Sequence, residues 1–155
     1  MSFSALHNVI IDTFNGCNTD ISLSYSIIKN YQKMNNSEVM VVYKWTAKEG
    51  QSDALKAIYQ EVEGQMKANE PGALEVQCYF DDSTSTLVVM DLFQDAGAVG
   101  FHLGTTAAGH FGNLLEIAIP GEFLFCGEVP EEMKQAATGM GLNATFAPRA
   151  FGFKR

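Results

Sequence analysis

Two strand-forming runs joined by a short polar turn constrain the fold of this chain more than any other feature. In Leu74–Phe80, apolar positions alternate with Glu, Gln and Tyr, which is the pattern of a strand with one buried face. Thr86–Phe93 is apolar on both faces for most of its length, as in a central strand. Residues 81–85 are Asp, Ser and Thr, whose short side chains bond their own backbone in turns. The two runs predict a β-hairpin.

A short helix is predicted directly after this hairpin. Asp95 is placed to act as its N-cap, and the helix covers Ala96–Leu103. A second helical stretch follows residues 105–106, with Phe111 and Leu114 on its apolar side. Gly104 and the glycine at position 109 argue against one continuous helix.

A strand and a helix precede the hairpin. Glu38–Thr46 is rich in β-branched and aromatic residues, which favours a strand. Ser52 is predicted to cap a helix that ends before Pro71–Gly72. The apolar residues of this helix recur at helical spacing on one face: Leu55, Ile58, Tyr59, Val62 and Met66.

The C-terminal part of the chain adds one strand and a tail. Pro120–Gly121 is predicted to break the second helical stretch, and Glu122–Glu128 is predicted to be a fourth strand. Pro130 and two acidic residues begin a short helix, Glu131–Ala137. Ala144–Lys154 fits a last extended segment.

The order strand, helix, strand, strand, helix, strand predicts an α+β fold of the ferredoxin-like, split βαβ type, with an antiparallel four-stranded sheet and two helices on one face. The other face is also apolar, so we expect a second subunit to cover it in a homodimer. The predicted domains are an N-terminal extension docked on the body (residues 1–36), the ferredoxin-like domain (37–129) and a C-terminal helix with an extended tail (130–155). Within the extension, Ser22–Lys33 fits a helix, although an alternating pattern there also fits a strand.

Composition limits the classes of function. The 155 residues carry a net charge of −8 without a cluster of Lys or Arg before the last two residues, which argues against nucleic acid and anionic membranes as partners. Apolar runs stay well below the roughly 20 residues of a membrane span. The three cysteines are widely spaced and are interpreted as small buried hydrophobic residues in a reducing cytoplasm: Cys17, Cys78 and Cys126.

Four short motifs resemble the antibiotic biosynthesis monooxygenase (ABM) family, whose members are small dimeric α/β-barrel proteins. They are Trp45–Gly50 at a strand-to-helix turn, Asn69–Leu74 before the second strand, Asp95–Ala98, and Phe101–Leu103. The resemblance covers about Val39–Glu128 and implies the ferredoxin-like fold described above.

The resemblance also implies a function. It suggests a cofactor-independent monooxygenase, without metal or flavin, that acts with O₂ on a small aromatic or quinol-like substrate. A non-catalytic small-molecule-binding dimer is the alternative, and a haem-handling enzyme or an isomerase on the same fold ranks below it. Phe93 stands where the family often has Trp, which favours the binding alternative, and Val39–Trp45 lacks the Asn of the haem-degrading branch.

His102 is the predicted catalytic residue, since it matches the family's histidine and a neutral imidazole can take a proton from a phenol or enol. His110 lies eight residues further on and is a candidate for substrate binding. No Asp, Glu or Cys stands at ligand spacing beside either histidine, so no metal site is predicted.

The other predicted substrate-binding residues are mostly aromatic. Four of them could line a flat pocket: Tyr43, Trp45, Tyr79 and Phe93. Asp91 is unusual because it is a carboxylate within an apolar strand. A pair with Lys44 on the first strand is the preferred explanation, and a pocket acid with a raised pKa is the alternative.

Overall fold

The computed structural model of the chain describes residues 37–153. In this part the strands are β1 (Val39–Ala47), β2 (Ala73–Asp81), β3 (Thr86–Phe93), β4 (Ala118–Cys126) and β5 (Ala144–Ala147). The helices are α1 (Ser52–Asn69), α2 (Ala96–His102), α3 (Ala108–Ile117) and α4 (Glu131–Gly139), and a π-helical segment, Leu103–Ala107, joins α2 to α3. The predicted extension 1–36, with Ser22–Lys33 and Cys17, lies outside the described residues, as do Lys154 and Arg155 at the end of the tail.

The strands form one sheet with the order β2-β3-β1-β4-β5. The first four are antiparallel to their neighbours, which confirms the ferredoxin-like α+β fold. The described sheet has five strands, and not the predicted four, because the C-terminal extended segment pairs with β4 in parallel as β5. This strand covers a backbone edge that β4 would otherwise leave unpaired.

The predicted β2–β3 hairpin is confirmed, and Asp81 organises its turn. The Asp81 carboxylate accepts hydrogen bonds from the Ser83 backbone N–H (2.9 Å), the Ser83 hydroxyl (2.7 Å) and the Thr84 hydroxyl (2.8 Å). Ser85 adopts a positive φ of 51°. Local side-chain bonds therefore close the turn, as short polar residues commonly do.

The helix starts were predicted with mixed success. Asp95 accepts a hydrogen bond from the Ala98 backbone N–H at 2.8 Å, so the predicted N-cap of α2 is confirmed. The prediction for Ser52 is wrong, because it is the first helical residue and Gln51 stands at the N-cap without a side-chain bond. Asp53 lies in the first turn of α1, where its charge favours the positive end of the helix dipole.

Two predicted interruptions of secondary structure are also wrong. The chain remains helical from α2 to α3 through Gly104 and Gly109, and the irregularity takes the form of the π-helical segment. Pro120 and Gly121 lie inside β4, at a bulge where Gly121 and Glu122 together face Lys44. A bulge is one of the few places in a sheet where proline is tolerated.

The core lies between the sheet and the helices α1, α2 and α3. Alternate residues of β1 are buried on this side, and they pack against the predicted apolar face of α1. The opposite sheet face carries half-buried apolar side chains: Met40, Val42, Val88, Met90, Leu92 and Leu124. Cys78 was predicted to be buried, but it is exposed, because β2 is the edge strand of the described sheet.

Candidate functional site

A cavity of about 50 Å³ lies between the helix-facing side of the sheet and the helices. Its walls come from β1, β3 and β4 on one side and from α1, α2 and α3 on the other. Met140 and Leu142, which follow α4, complete the lining. Most of these side chains are apolar or aromatic, so the cavity favours an apolar ligand that has few polar groups.

A histidine and a glutamate form a buried pair at this cavity. His102 lines the cavity at the end of α2, and its Nδ1 lies 3.1 and 3.2 Å from the two carboxylate oxygens of Glu70. Glu70 follows the last residue of α1, and its backbone N–H donates to Met66 while its carbonyl accepts from Ala73. The exposed fractions are 4% for Glu70 and 6% for His102. The end of α1 and the end of α2 therefore position the pair together.

The Glu70 contact defines which nitrogen of His102 is free. A carboxylate beside Nδ1 requires that Nδ1 carry a proton and donate it, which leaves a lone pair on Nε2 of the neutral ring. Burial lowers the pKa of His102, although the charge of Glu70 and its hydrogen bond oppose this shift. The imidazole is therefore neutral near pH 7, and Nε2 can act as a base.

Asp91 forms a second buried polar contact at the cavity. Its Oδ2 accepts a hydrogen bond from the Tyr43 hydroxyl at 2.9 Å. The residue is 1% exposed, and its Oδ1 has no hydrogen-bond partner among the described residues. Burial raises the pKa of Asp91 to about 7, the charge of Glu70 adds to this shift, and the Tyr43 bond opposes it. A carboxyl group with this pKa is largely protonated below neutral pH.

The preferred pairing of Asp91 with Lys44 is therefore wrong. Asp91 lies opposite Val41 in the β1–β3 register, whereas Lys44 lies opposite Val88. Lys44 is three positions after Val41, and side chains an odd number of positions apart on a strand point to opposite faces of the sheet. The alternative, a pocket acid with a raised pKa, matches the structure.

Aromatic rings form much of the cavity wall. Tyr43 stacks on Phe123 with ring centroids 4.9 Å apart and planes 7° apart, and Trp45 contacts both Phe123 and Phe111 edge-on. Burial raises the pKa of Tyr43 and Tyr59 well above the ordinary value of tyrosine, so both phenols are neutral. The Trp45 indole N–H is buried without a hydrogen-bond partner in the described part of the chain.

Six of the seven residues predicted for the site line this one cavity: Tyr43, Trp45, Asp91, Phe93, His102 and His110. Tyr79 does not, contrary to the prediction. It lies on the edge strand β2 opposite Val88, on the sheet face that points away from the helices, and is 54% exposed. The alternation of β2 predicted this position, since Tyr79 shares a face with Glu75 and Gln77, and its assignment to the pocket rested on its aromatic ring alone.

The π-helical segment accounts for the position of His110. In a regular α-helix, eight residues rotate a side chain to about 80° from the starting direction. A π-helical turn contains about one residue more than an α-helical turn, so the rotation from His102 to His110 is smaller, about 20° less than two full turns. The two side chains therefore point in nearly the same direction. The irregular segment thus brings both histidines to one helix face, and both line the cavity.

Some residues of the site were not predicted: Glu70, which contacts His102 from outside the cavity lining, and the wall residues Tyr59 and Phe123. Glu70 was visible only as a member of the motif Asn69–Leu74. Its contact with His102 joins positions 32 residues apart, and no local pattern in the sequence reports such a contact.

Neither a metal cluster nor a membrane span is found in the described residues. In residues 37–153, no three His, Cys, Asp or Glu side chains are grouped so that they could hold a metal ion. No helix in the same part of the chain combines the length and the apolar character needed to cross a membrane.

The fold and the site together define a ferredoxin-like α+β domain with a buried acid–base cavity. Residues 38–113 match the model of the family Antibiotic biosynthesis monooxygenase (ABM), so this stretch of the chain is an ABM domain. This match contains the Glu70–His102 pair, Asp91 and His110. A comparison with curated proteins gave no match.

Solved structures support the same fold. MupZ from Pseudomonas fluorescens is similar with a TM-score of 0.66 and 19% identity, over 77% of this chain and 96% of MupZ. SnoaB, a cofactor-independent oxygenase from Streptomyces nogalater, is similar with a TM-score of 0.51 and 16% identity, over 57% of this chain and 90% of SnoaB. Rv0793 from Mycobacterium tuberculosis gives a TM-score of 0.54 at 16% identity, over 61% and 98% of the two chains. At these identities the likeness establishes the fold and not the activity.

Proposed function

We propose that this protein is a cofactor-independent monooxygenase of the ABM type that acts with O₂ on a small aromatic or quinol-like substrate. The observation that carries the proposal is the neutral His102, which lines an aromatic cavity, whose Nδ1 is held by the Glu70 carboxylate, and whose Nε2 has no hydrogen-bond partner among the described residues. The likeness to SnoaB, a cofactor-independent oxygenase, supports the reaction class.

The chemistry begins with a proton transfer. His102 Nε2 takes a proton from an acidic O–H or C–H bond of the substrate, and the resulting anion gives one electron to O₂. The substrate radical and superoxide combine into a peroxide, which recovers the proton from His102. Loss of water converts a CH₂ carbon into a carbonyl, so one oxygen atom enters the product and the other leaves as water.

The cavity must enlarge when such a substrate binds. A cavity of roughly 150 Å³ holds benzene in another protein, whereas this one measures about 50 Å³. Met140 is 40% exposed and is flanked by Gly139 and Gly141, and its unbranched side chain can move with little steric cost. We place the entrance at Met140, with the aromatic rings orienting the substrate and excluding water.

Oxygen uptake by the full-length, metal-stripped protein tests this function. With a panel of quinols and hydroxyanthrones, we expect uptake above the uncatalysed rate and a loss of about 10² in turnover for His102→Ala. His110→Ala is the matched control, and it should change KM more than kcat. Circular dichroism verifies that both variants are folded. Wild-type uptake that survives in His102→Ala would refute the role of His102 as the base.

We also propose that the protein is a homodimer. The apolar sheet face opposite the helices includes Val88, Met90 and Leu92, and a second copy would bury them by pairing the same face of both subunits. Among the described residues, Cys78 and Cys126 form no disulfide, which supports the reducing cytoplasm expected from the sequence.

A non-catalytic binding protein is the second candidate. Phe93 is 1% exposed, and its ring lies 5.4 Å from that of His102, at the place where the family resemblance leads us to expect Trp. A ligand that raises the melting temperature and is not consumed, together with no oxygen uptake across the panel, would favour this candidate.

A further inference from the structure

We propose that Asp91 binds a carbonyl oxygen of the substrate as a neutral carboxylic acid, donating a hydrogen bond from Oδ1, and that the substrates are therefore enolisable carbonyl compounds. The proposal rests on the proposed role of His102 as a base but requires no O₂. Its consequence is a second activity: the protein enolises such compounds in the absence of oxygen.

The geometry of the carboxyl group carries the first step. The Tyr43 hydroxyl donates to Oδ2 at 2.9 Å, so the proton of the neutral acid belongs on Oδ1. Oδ1 is buried and has no partner among residues 37–153, although Asp91 lines the cavity. A buried polar atom without a partner is costly, and a ligand atom that accepts its hydrogen bond removes that cost.

Burial and the charge of Glu70 favour the protonated form of Asp91. The titratable groups that face it in the described residues are Tyr43 on β1, Tyr59 and Glu70 on and after α1, Cys78 on β2, and His102 and His110 on the helical wall. Burial raises the pKa of Tyr43 and Tyr59 and raises that of Cys78 to about 11, so these groups are neutral near pH 7. The charge of Glu70 disfavours a second negative charge on Asp91.

An acid and a base at one cavity can enolise a carbonyl compound. His102 Nε2 takes a proton from the carbon next to the carbonyl group, the C–H electron pair becomes the C=C bond, and the carbonyl π electrons move to oxygen. The developing negative charge on oxygen is stabilised by the Oδ1–H donor, as a carboxylic acid held neutral in an apolar site can do. In D₂O the proton on His102 Nε2 exchanges with solvent, and return of a deuteron to the carbon restores the ketone with one C–H bond replaced by C–D.

The sign of the pH dependence follows from the two groups. The pKa of His102 is lowered from its usual value of about 6.5. As the pH increases through this lowered value, His102 loses its proton and becomes a base, so the exchange rate increases with pH in the acidic range. Asp91 has a pKa of about 7, so the donor is lost and the rate falls as the pH rises through this value. The rate should therefore pass through a maximum below neutral pH.

Deuterium exchange into 2-indanone in anaerobic D₂O, followed by NMR, tests the proposal. This probe is a small aromatic ketone with acidic C–H bonds beside its carbonyl group. We expect exchange above the buffer rate for the wild type, a loss of at least about tenfold for Asp91→Leu, and a comparable loss for His102→Ala. Asp91→Asn keeps a donor at the Oδ1 position, so it should retain exchange within about tenfold and lose the decline above pH 7.

The variants separate the possible outcomes. If Asp91→Asn is as inactive as Asp91→Leu at every pH, Asp91 acts as a base and the proposal is wrong. A decline above pH 7 that persists in Asp91→Asn and disappears in His110→Asn would assign the titration to His110 and would also overturn it. If Asp91→Leu does not fold, the pH profile of Asp91→Asn still tests the proposal, because the decline in exchange rate above pH 7 should be absent in that variant. Exchange without oxygen uptake would support this inference while refuting the monooxygenase, and uptake without exchange would do the reverse.

Discussion

A hydrogen bond between His102 and Glu70 gives the histidine of this domain a defined tautomer and a defined direction. The two residues are buried, and the desolvation of His102 outweighs the attraction of the carboxylate, since the pKa of the histidine is lowered. The carboxylate therefore orients a neutral base and does not hold an imidazolium. The match to the family's histidine, together with the chemistry of imidazole, predicted a base at position 102, but its orienting partner depended on the tertiary fold.

Replacing Glu70 with Gln should separate the orientation of His102 from the binding of substrate. An amide can face Nδ1 in either direction, so the tautomer is no longer determined, and we expect kcat to fall by about 10- to 100-fold with KM little changed. The acidic limb of the pH–rate profile should move to lower pH, because Glu70 raises the pKa of His102. Glu61→Gln, an exposed glutamate on the same helix, is the control. An unchanged kcat and pH profile would contradict a positioning role.

At the level of elements, the start of β2 packs closely against α2. A Cβ atom at Gly72 would lie 2.6 Å from Cβ of Ala98, and the Gly72 carbonyl accepts a hydrogen bond from the Gln94 backbone N–H. The proline–glycine turn was predicted from the sequence as the end of α1. Its second role, giving α2 room to approach β2, depends on the packing of the two elements.

Gly72→Ala should therefore destabilise the domain by about 1–3 kcal/mol. The added Cβ atom and Cβ of Ala98 are both attached directly to the backbone, so neither can move away without a backbone shift. Gly64→Ala is a matched control on the exposed side of α1, where nothing lies within 4 Å of the added atom. That change should stabilise the protein by about 0.5–1 kcal/mol. Urea denaturation measures both effects. Equal stabilities for Gly72→Ala and the wild type would refute the close packing.

Elements with a strong repeating pattern were predicted well, and those that depend on tertiary contacts were not. The alternation in the hairpin and the apolar face of α1 gave the correct type of structure. Glycine has a low propensity for helices, yet packing keeps the chain helical at Gly104. Proline has a low propensity for strands, yet the chain is extended at Pro120. The five-residue π-helical segment has no sequence signal that we could identify.

At the scale of the whole molecule, the proposed dimer predicts a solution mass of about twice 16.9 kDa in size-exclusion chromatography with light scattering. Met90→Lys places a charge on the apolar sheet face and should give a monomer, because burying an unpaired charge in an interface is costly. Glu61→Lys, at an exposed position on α1 and so away from this sheet face, is the control for a change of charge. A wild-type protein that remains monomeric at concentrations of tens of micromolar would contradict the dimer.

The sequence predicted the architecture and most of the cavity, but not how the cavity is assembled. Tyr43, Trp45, Asp91 and Phe93 could be identified by residue type on strands that were correctly predicted. Tyr79 differs from them, because the alternation of β2 already placed it with Glu75 and Gln77, on the face opposite the apolar side chains. The hydrogen bond from Tyr43 to Asp91 joins positions 48 residues apart, so the neutral acid was predicted only as an alternative.

The residues that complete the cavity lining and the residues proposed to transfer protons belong to different stretches of the chain. Glu70, Asp91 and His102 lie within the family match at residues 38–113, whereas Met140 and Leu142 lie beyond it. A substitution between positions 139 and 142 can thus change which molecules enter while leaving the acid and the base in place. Two proteins with this fold can therefore share one reaction and differ in substrate through the four residues 139–142.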